Sequence, residues 1–130
     1  MREIAISDLQ FSQLFLSEAK IKRIENWLTS KTLEEAPVTI RWFPWSETPV
    51  LLDGHTRVFV ASQKGITRVP VLWDDTELEA ELEQLYQACA AWCNDQGIHS
   101  VSDFSTRILS QAQYEIDWIG RCQSYLAKLA

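Results

Sequence analysis

Between Pro49 and Val60 the chain reads "PVLLDGHTRVFV". An apolar run of strand character breaks at Asp53-Gly54 and restarts at once as a helix. From His55 to Lys64 there is no Pro or Gly, and Gly65 then stands where a helix ends on a left-handed residue. A strand that passes into a helix through a single glycine leaves the first helical N–H groups without intrahelical acceptors. It also points the positive end of the helix dipole at whatever lies before it, which favours phosphate or carboxylate. Gly54 permits the bend and a close approach of the backbone. Thr56 adds a hydroxyl donor, and Arg57 a planar cation suited to two phosphate oxygens. His55 is expected to donate, accept or exchange a proton near neutral pH. Asp53 is a candidate to cap the helix, to orient His55, or to carry a metal ion to phosphate.

The flanking segments predict a small sheet with helices packed on it. Arg2 to Ser7 alternates around Ile4 and Ile6 as a short strand, and a helix is expected over about 18–29 behind Ser17 as N-cap. "TSKTLEE" reads as a polar connection. "PVTIRWF" (37–43) and "VLLD" read as two strands, paired as a hairpin or lying as neighbours. "TRVPVLWD" reads as a third, with Pro70 pointing to an edge or a strand start. From Asp75 the character changes. "DDTELEAELEQLYQACAAWCNDQG" is an amphipathic helix with an acidic first turn, and a short and a long helix follow. The expected fold class is α+β: a small mixed sheet with packed helices over 1–74, then an all-helical C-terminal extension over 75–130 packed on it.

With 130 residues, 46% of them apolar, the chain suits one packed core and is not disordered. Its net charge of −6 offers no basic stripe, which argues against general nucleic-acid binding. The three cysteines, the lack of a signal peptide and the lack of a spanning segment point to a cytoplasmic protein.

Other clusters have plainer readings. Cys89 and Cys93 are four apart on one predicted helix, and Cys122 and His99 could join them around zinc. Both cysteines fall on the apolar stripe with Leu82, Leu85 and Trp92, where Cys packs as a small hydrophobe. Trp27, Trp92 and Trp118 are expected in the core. Trp42 and Trp45 are expected to cap the sheet beside the Gly54 turn, where a loop tryptophan could also stack on a nucleobase. The acidic patch Asp74-Asp75 with Glu77, Glu79, Glu81 and Glu83 caps and solvates a helix start.

The stretch "LLDGHTRVFVASQKGITRVPVLW" resembles the ParB N-terminal domain and sulfiredoxin-like superfamily. A strand there enters a Gly-x-x-Arg turn, an alanine-containing helix, a Gly and a Val-Pro-Val strand. The matching residues are Gly54, Arg57, Ala61, Gly65 and Val69-Pro70-Val71. "IAISDL" and "EAKIKRIENWL" look like the first strand and first helix, so the resemblance covers about residues 3–74. The extension looks like one shared by some uncharacterised bacterial members. The resemblance implies nucleotide-phosphate binding by Gly54, His55, Thr56 and Arg57. Its members include CTP-binding partition proteins, ATP-using sulfiredoxins and kinases of free serine.

Departures narrow what the resemblance implies. His55 stands where sulfiredoxins carry their catalytic cysteine, which argues against that activity. The Glu-Arg-Arg of the partition proteins is absent, as is a helix-turn-helix, which argues against DNA partitioning. Asp-Gly-His is nearest to the kinase-like branch, with Glu3, Asp8, Glu18 and Glu47 as candidate catalytic carboxylates. Three readings follow. One is a small phosphotransferase or NTPase using ATP, CTP or ADP with Mg²⁺ on Asp53, and with His55 and Asp53 as catalytic groups. The second is a non-catalytic nucleotide-sensing module that contacts a protein partner through its tail. The third is an inherited fold in which Arg57 makes only an internal ion pair. No membrane partner is expected.

Overall fold

The computed structural model describes residues 2–130. Its central sheet has four strands: β1 (Glu3–Ala5), β3 (Val38–Arg41), β4 (Val50–Asp53) and β5 (Arg68–Trp73), in the order β1-β5-β3-β4. The β1–β5 and β3–β4 pairs are antiparallel, and β3–β5 is parallel, so the sheet is mixed. Helices α1 (Glu18–Trp27) and α3 (His55–Gln63) pack against each other. The later chain carries α4 (Ala80–Asp95), a 3₁₀ turn (Val101–Thr106) and a closing helix over 111–129. That last helix begins as α5 (Gln111–Tyr114), widens to a π-helical turn (Glu115–Ile119) and ends as α6 (Gly120–Leu129). The α+β class and the helical C-terminal region are as the sequence predicts.

Several local expectations are corrected. The first strand stops at Ala5, and a 3₁₀ turn over Ile6–Asp8 takes Ile6 into the core. "TSKTLEE" is not a plain connection but contains α2 (Ser30–Glu35). Thr29 and Thr32 form its capping box, and burial of Leu33 anchors it. The strand over 37–43 shortens to β3, because a turn over Phe43–Ser46 closes on the Ser46 N–H to Phe43 C=O bond.

Pro70 lies on an inner strand, not an edge. It forms a pair with Glu3 that needs no hydrogen bond, flanked by Val71 N–H to Arg2 C=O at 3.0 Å and the register Ile4↔Val69. The amide it lacks would face β3, whose pairing with β5 starts one residue later at Val38↔Val71. A proline therefore costs the ladder nothing here.

Two strand contacts have no signal in the sequence pattern. β2 (Leu16–Ser17) pairs in parallel with β6 (Ile108–Leu109), joining the segment before α1 to the C-terminal region. Gln10 bridges to Val50, with Leu51 N–H bonded to Gln10 C=O at 2.9 Å, and covers the outer edge of β4.

One buried cluster draws on both parts of the chain. It joins Leu14, Leu16, Val38, Ile40, Leu51, Val58 and Ala61 with Cys89, Cys93, Ile98, Phe104, Tyr114 and Trp118. Trp118 is in the core as expected, and Trp92 packs against it. Trp27 is not: it sits at the end of α1 with 38% of its surface exposed. Among the described residues, no helix is long and apolar enough to cross a membrane.

Candidate anion-binding site at the start of α3

β4 ends at Asp53, Gly54 turns the chain with φ +114°, and α3 begins at His55. A Cβ on Gly54 would lie 2.4 Å from Val38 Cγ1, so glycine is demanded both by the backbone angle and by the closeness of β3. Val58 N–H to Gly54 C=O, at 2.9 Å, is the first helical bond. The amides of His55, Thr56 and Arg57 precede it, and no side chain caps the helix. These donors open on a cleft of about 220 Å³ between α1, α3 and α5. Thr56 is half-buried on its wall.

Arg57 is largely committed elsewhere. Its Nη1 donates to the carbonyls of Ala36 at 2.6 Å and Pro37 at 3.1 Å, and its Nη2 to Asp53 Oδ2 at 3.1 Å. The guanidinium thereby ties the α2–β3 connection to the first turn of α3. Asp53 is 78% exposed at its side chain and paired through one oxygen. Among the described residues it is the only carboxylate that lines the cleft, and it pairs with Arg57.

His55 is 3% exposed and in contact with Phe11 and Phe104, at ring-centroid distances of 5.9 and 6.1 Å. Its Nε2 accepts the Ser12 N–H at 3.0 Å, which places the neutral ring's proton on Nδ1. Burial pushes its pKa down to about 3. The expectation that His55 exchanges a proton near neutral pH is therefore corrected. The ring stays neutral and holds the 10–14 segment against α3.

The cations that the sequence reading missed come from α1. Lys20 and Arg23 are three apart, so they share one helix face, and both line the cleft. Neither side chain makes an ion pair or hydrogen bond among the described residues. The Lys20 ammonium lies over the Tyr114 ring, 4.7 Å from its centroid. Gln13 and Tyr114 complete the wall, with Gln13 Nε2 donating to the Tyr114 hydroxyl at 3.1 Å. The signal available in "EAKIKR" was this i,i+3 pair of basic residues. What it lacked was any indication that the face meets the start of α3. With Lys20, Arg23 and Arg57 against Asp53, the cleft is locally cationic on a chain of net charge −6.

Other candidates lie elsewhere. None of Glu3, Asp8, Glu18 and Glu47 lines the cleft. Glu3 pairs with Arg68 and Glu18 with Lys22, while Glu47 lines a different cleft beside α4. Trp42 stacks on Trp73 and Trp45 on Phe43, away from the Gly54 turn, so no tryptophan stands ready to stack on a ligand there. Cys89 and Cys93 are buried in the core, and Cys122 packs against it. His99 is exposed, its N–H bonded to Asp103. Asp74 pairs with Arg41 at 3.5 Å. Its carboxyl is held below its ordinary range by hydrogen bonds from Thr76, with Arg41 adding to the effect.

No family model and no curated protein matches the chain. Among solved structures, a free serine kinase in complex with AMP is similar at a TM-score of 0.49 and 16% identity, over 67% of this chain and 42% of that one. Protein Atu1540 from Agrobacterium tumefaciens is similar at a TM-score of 0.42 and 17% identity, over 75% of this chain and 47% of that one. The chain thus spans less than half the length of either protein. These are distant likenesses of outline and say nothing of the site.

Proposed function

We propose that this protein binds a phosphate group, that of a nucleotide, at the start of α3. The observation that carries the reading is the uncapped α3 N-terminus facing the unpaired cations Lys20 and Arg23 across one cleft. Amide donors, dipole and ammonium or guanidinium then act on the same oxygens. The likeness of "LLDGHTRVFVASQKGITRVPVLW" to nucleotide-binding members of the ParB and sulfiredoxin-like superfamily adds the nucleotide to the phosphate. In this reading Gly54, His55 and Thr56 contribute backbone, Thr56 a hydroxyl, and Lys20 and Arg23 the charge. Arg57 shapes the turn.

Binding without turnover fits the cleft better than phosphotransfer or NTP hydrolysis. The neutral His55 has its Nε2 occupied, and Asp53 is ion-paired, so neither is placed as a free general base. A thermal-shift screen of AMP, ADP, ATP, CTP and inorganic phosphate, each with and without Mg²⁺, tests the reading. Ligand at 100 times its Kd stabilises the native state by about 2.7 kcal/mol. A melting temperature that no phosphate compound raises refutes binding, and release of phosphate from ATP or CTP restores the enzymatic alternative.

A further inference from the structure

The C-terminal region is built into the cleft as well as into the core. Ser17 receives the Lys20 N–H at 3.4 Å as the N-cap of α1, and its hydroxyl donates to Gln111 Oε1 at 2.5 Å at the first residue of α5. The parallel β2–β6 pair sits beside this link. The starts of α1 and α5 are thus held in one register. Three residues along each helix from the Ser17–Gln111 contact, the Lys20 ammonium meets the face of the Tyr114 ring. Tyr114 is itself fixed: its ring is 3% exposed, and its hydroxyl accepts from Gln13 Nε2, which also donates to Phe15 C=O at 2.9 Å. A lysine side chain alone carries much rotamer freedom, and a rigid aromatic face that attracts its ammonium reduces that freedom.

We infer that Tyr114, supplied by the C-terminal region, is a positioning residue for the anion site: its ring holds the Lys20 ammonium at the cleft opposite the α3 amides. The inference rests on the anion-site reading above. It gives the helical region a role in ligand affinity, since the cleft lacks one wall and one oriented cation without it. The ring face does the positioning; the hydroxyl only locks the ring.

The test is a double-mutant cycle on the full chain, with AMP and inorganic phosphate as probes in isothermal titration. Lys20→Met is expected to weaken binding about tenfold, the size of one charged hydrogen bond. Tyr114→Phe keeps the ring and should bind within about twofold of wild type. Tyr114→Leu should weaken binding nearly as much as Lys20→Met, and the double variant should be no weaker than Lys20→Met alone. Independent, multiplying losses, or a Tyr114→Leu protein that binds like wild type, overturn the inference.

A readout without ligand separates this from the site reading. In the wild-type NMR spectrum the Lys20 ε-methylene protons should be shifted upfield by the Tyr114 ring current, and also in Tyr114→Phe. Ordinary shifts there overturn the positioning, whatever the protein binds. A normal upfield shift in a protein that binds neither probe overturns the anion site instead, and with it the role assigned to Tyr114.

Discussion

The backbone N–H of Ser12 donates to His55 Nε2 at 3.0 Å, so a residue at the first turn of α3 satisfies a buried amide 43 positions away in sequence. Protonating Nε2 would turn this acceptor into a donor facing a donor, within a ring environment made by Phe11 and Phe104.

Stability should therefore depend on pH through His55. Its folded pKa of about 3 lies below the ordinary 6.5, so between these values the unfolded chain binds a proton that the native state refuses. The His55 contribution is complete above about pH 6.5. It falls by up to about 1.4 kcal/mol per unit as the pH drops through the window. Asp74 and Asp103, whose carboxyls are held low by hydrogen bonds, act only below their ordinary value of 3.8. Urea melts between pH 4.5 and 7 isolate His55. His55→Gln, which keeps an acceptor for Ser12 without titrating, should flatten the profile; an unchanged slope in that variant contradicts this account.

Gly54→Ala should destabilise the fold by about 2 kcal/mol or more. The added methyl meets Val38 Cγ1 at 2.4 Å, and the backbone angle is one that L-residues avoid. Denaturant unfolding measures the loss. Gly65→Ala has the same kind of angle, φ +82°, with open space around it, and should cost less. Equal costs at the two positions would mean that the clash with β3 is unimportant.

Arg57→Ala should act on the fold, and Lys20→Met and Arg23→Met on the ligand. Losing the donors to Ala36, Pro37 and Asp53 should cost about 1.5–3 kcal/mol, the usual range for hydrogen bonds to a charged group. The α1 variants remove exposed or half-exposed cations that bond to nothing else among the described residues, and should leave unfolding within about 0.5 kcal/mol of wild type. Paired melting curves and phosphate titrations decide between these assignments. A large stability loss in Arg23→Met would count against a ligand role for that side chain.

The thiols should react in a set order. Cys122 is half-buried, and the neighbouring Cys89 thiol, with Arg121 nearby, lowers its pKa. The same contact with Cys122 and burial push Cys89 up, and burial pushes Cys93 up to about 12. Iodoacetamide at pH 8 should label Cys122 first in the native protein, with the other two labelled only on unfolding, as peptide mass spectrometry would show. Early labelling of Cys93 would contradict the buried core position.

Much of the outline was legible because it depends on neighbours in sequence. The Ser17 cap, the strand–Gly54–helix turn, the Gly65 stop and the acidic entry to α4 are each set by residues within one or two turns of one another. The α2 turn was hidden because Leu33 is its only buried residue in an otherwise polar stretch. Trp27 was placed inside by periodicity, yet it ends α1 with 38% of its surface exposed, while the adjacent Leu28 takes the buried position.

At the candidate site the division is sharper. By itself the sequence determined that a strand passes into α3 through a glycine, leaving the first helical amides without intrahelical acceptors, because that follows from the backbone chemistry of five consecutive residues. Tertiary structure alone decided which charges face those amides. It turned Arg57 inward onto the carbonyls of Ala36 and Pro37, took His55 into an apolar pocket with Ser12, and brought Lys20, Arg23 and Tyr114 to the cleft. A side chain's charge state and direction depend on what surrounds it in space. For this turn those surroundings arrive from residues 12, 20, 36 and 114, at separations over which local pattern carries no information.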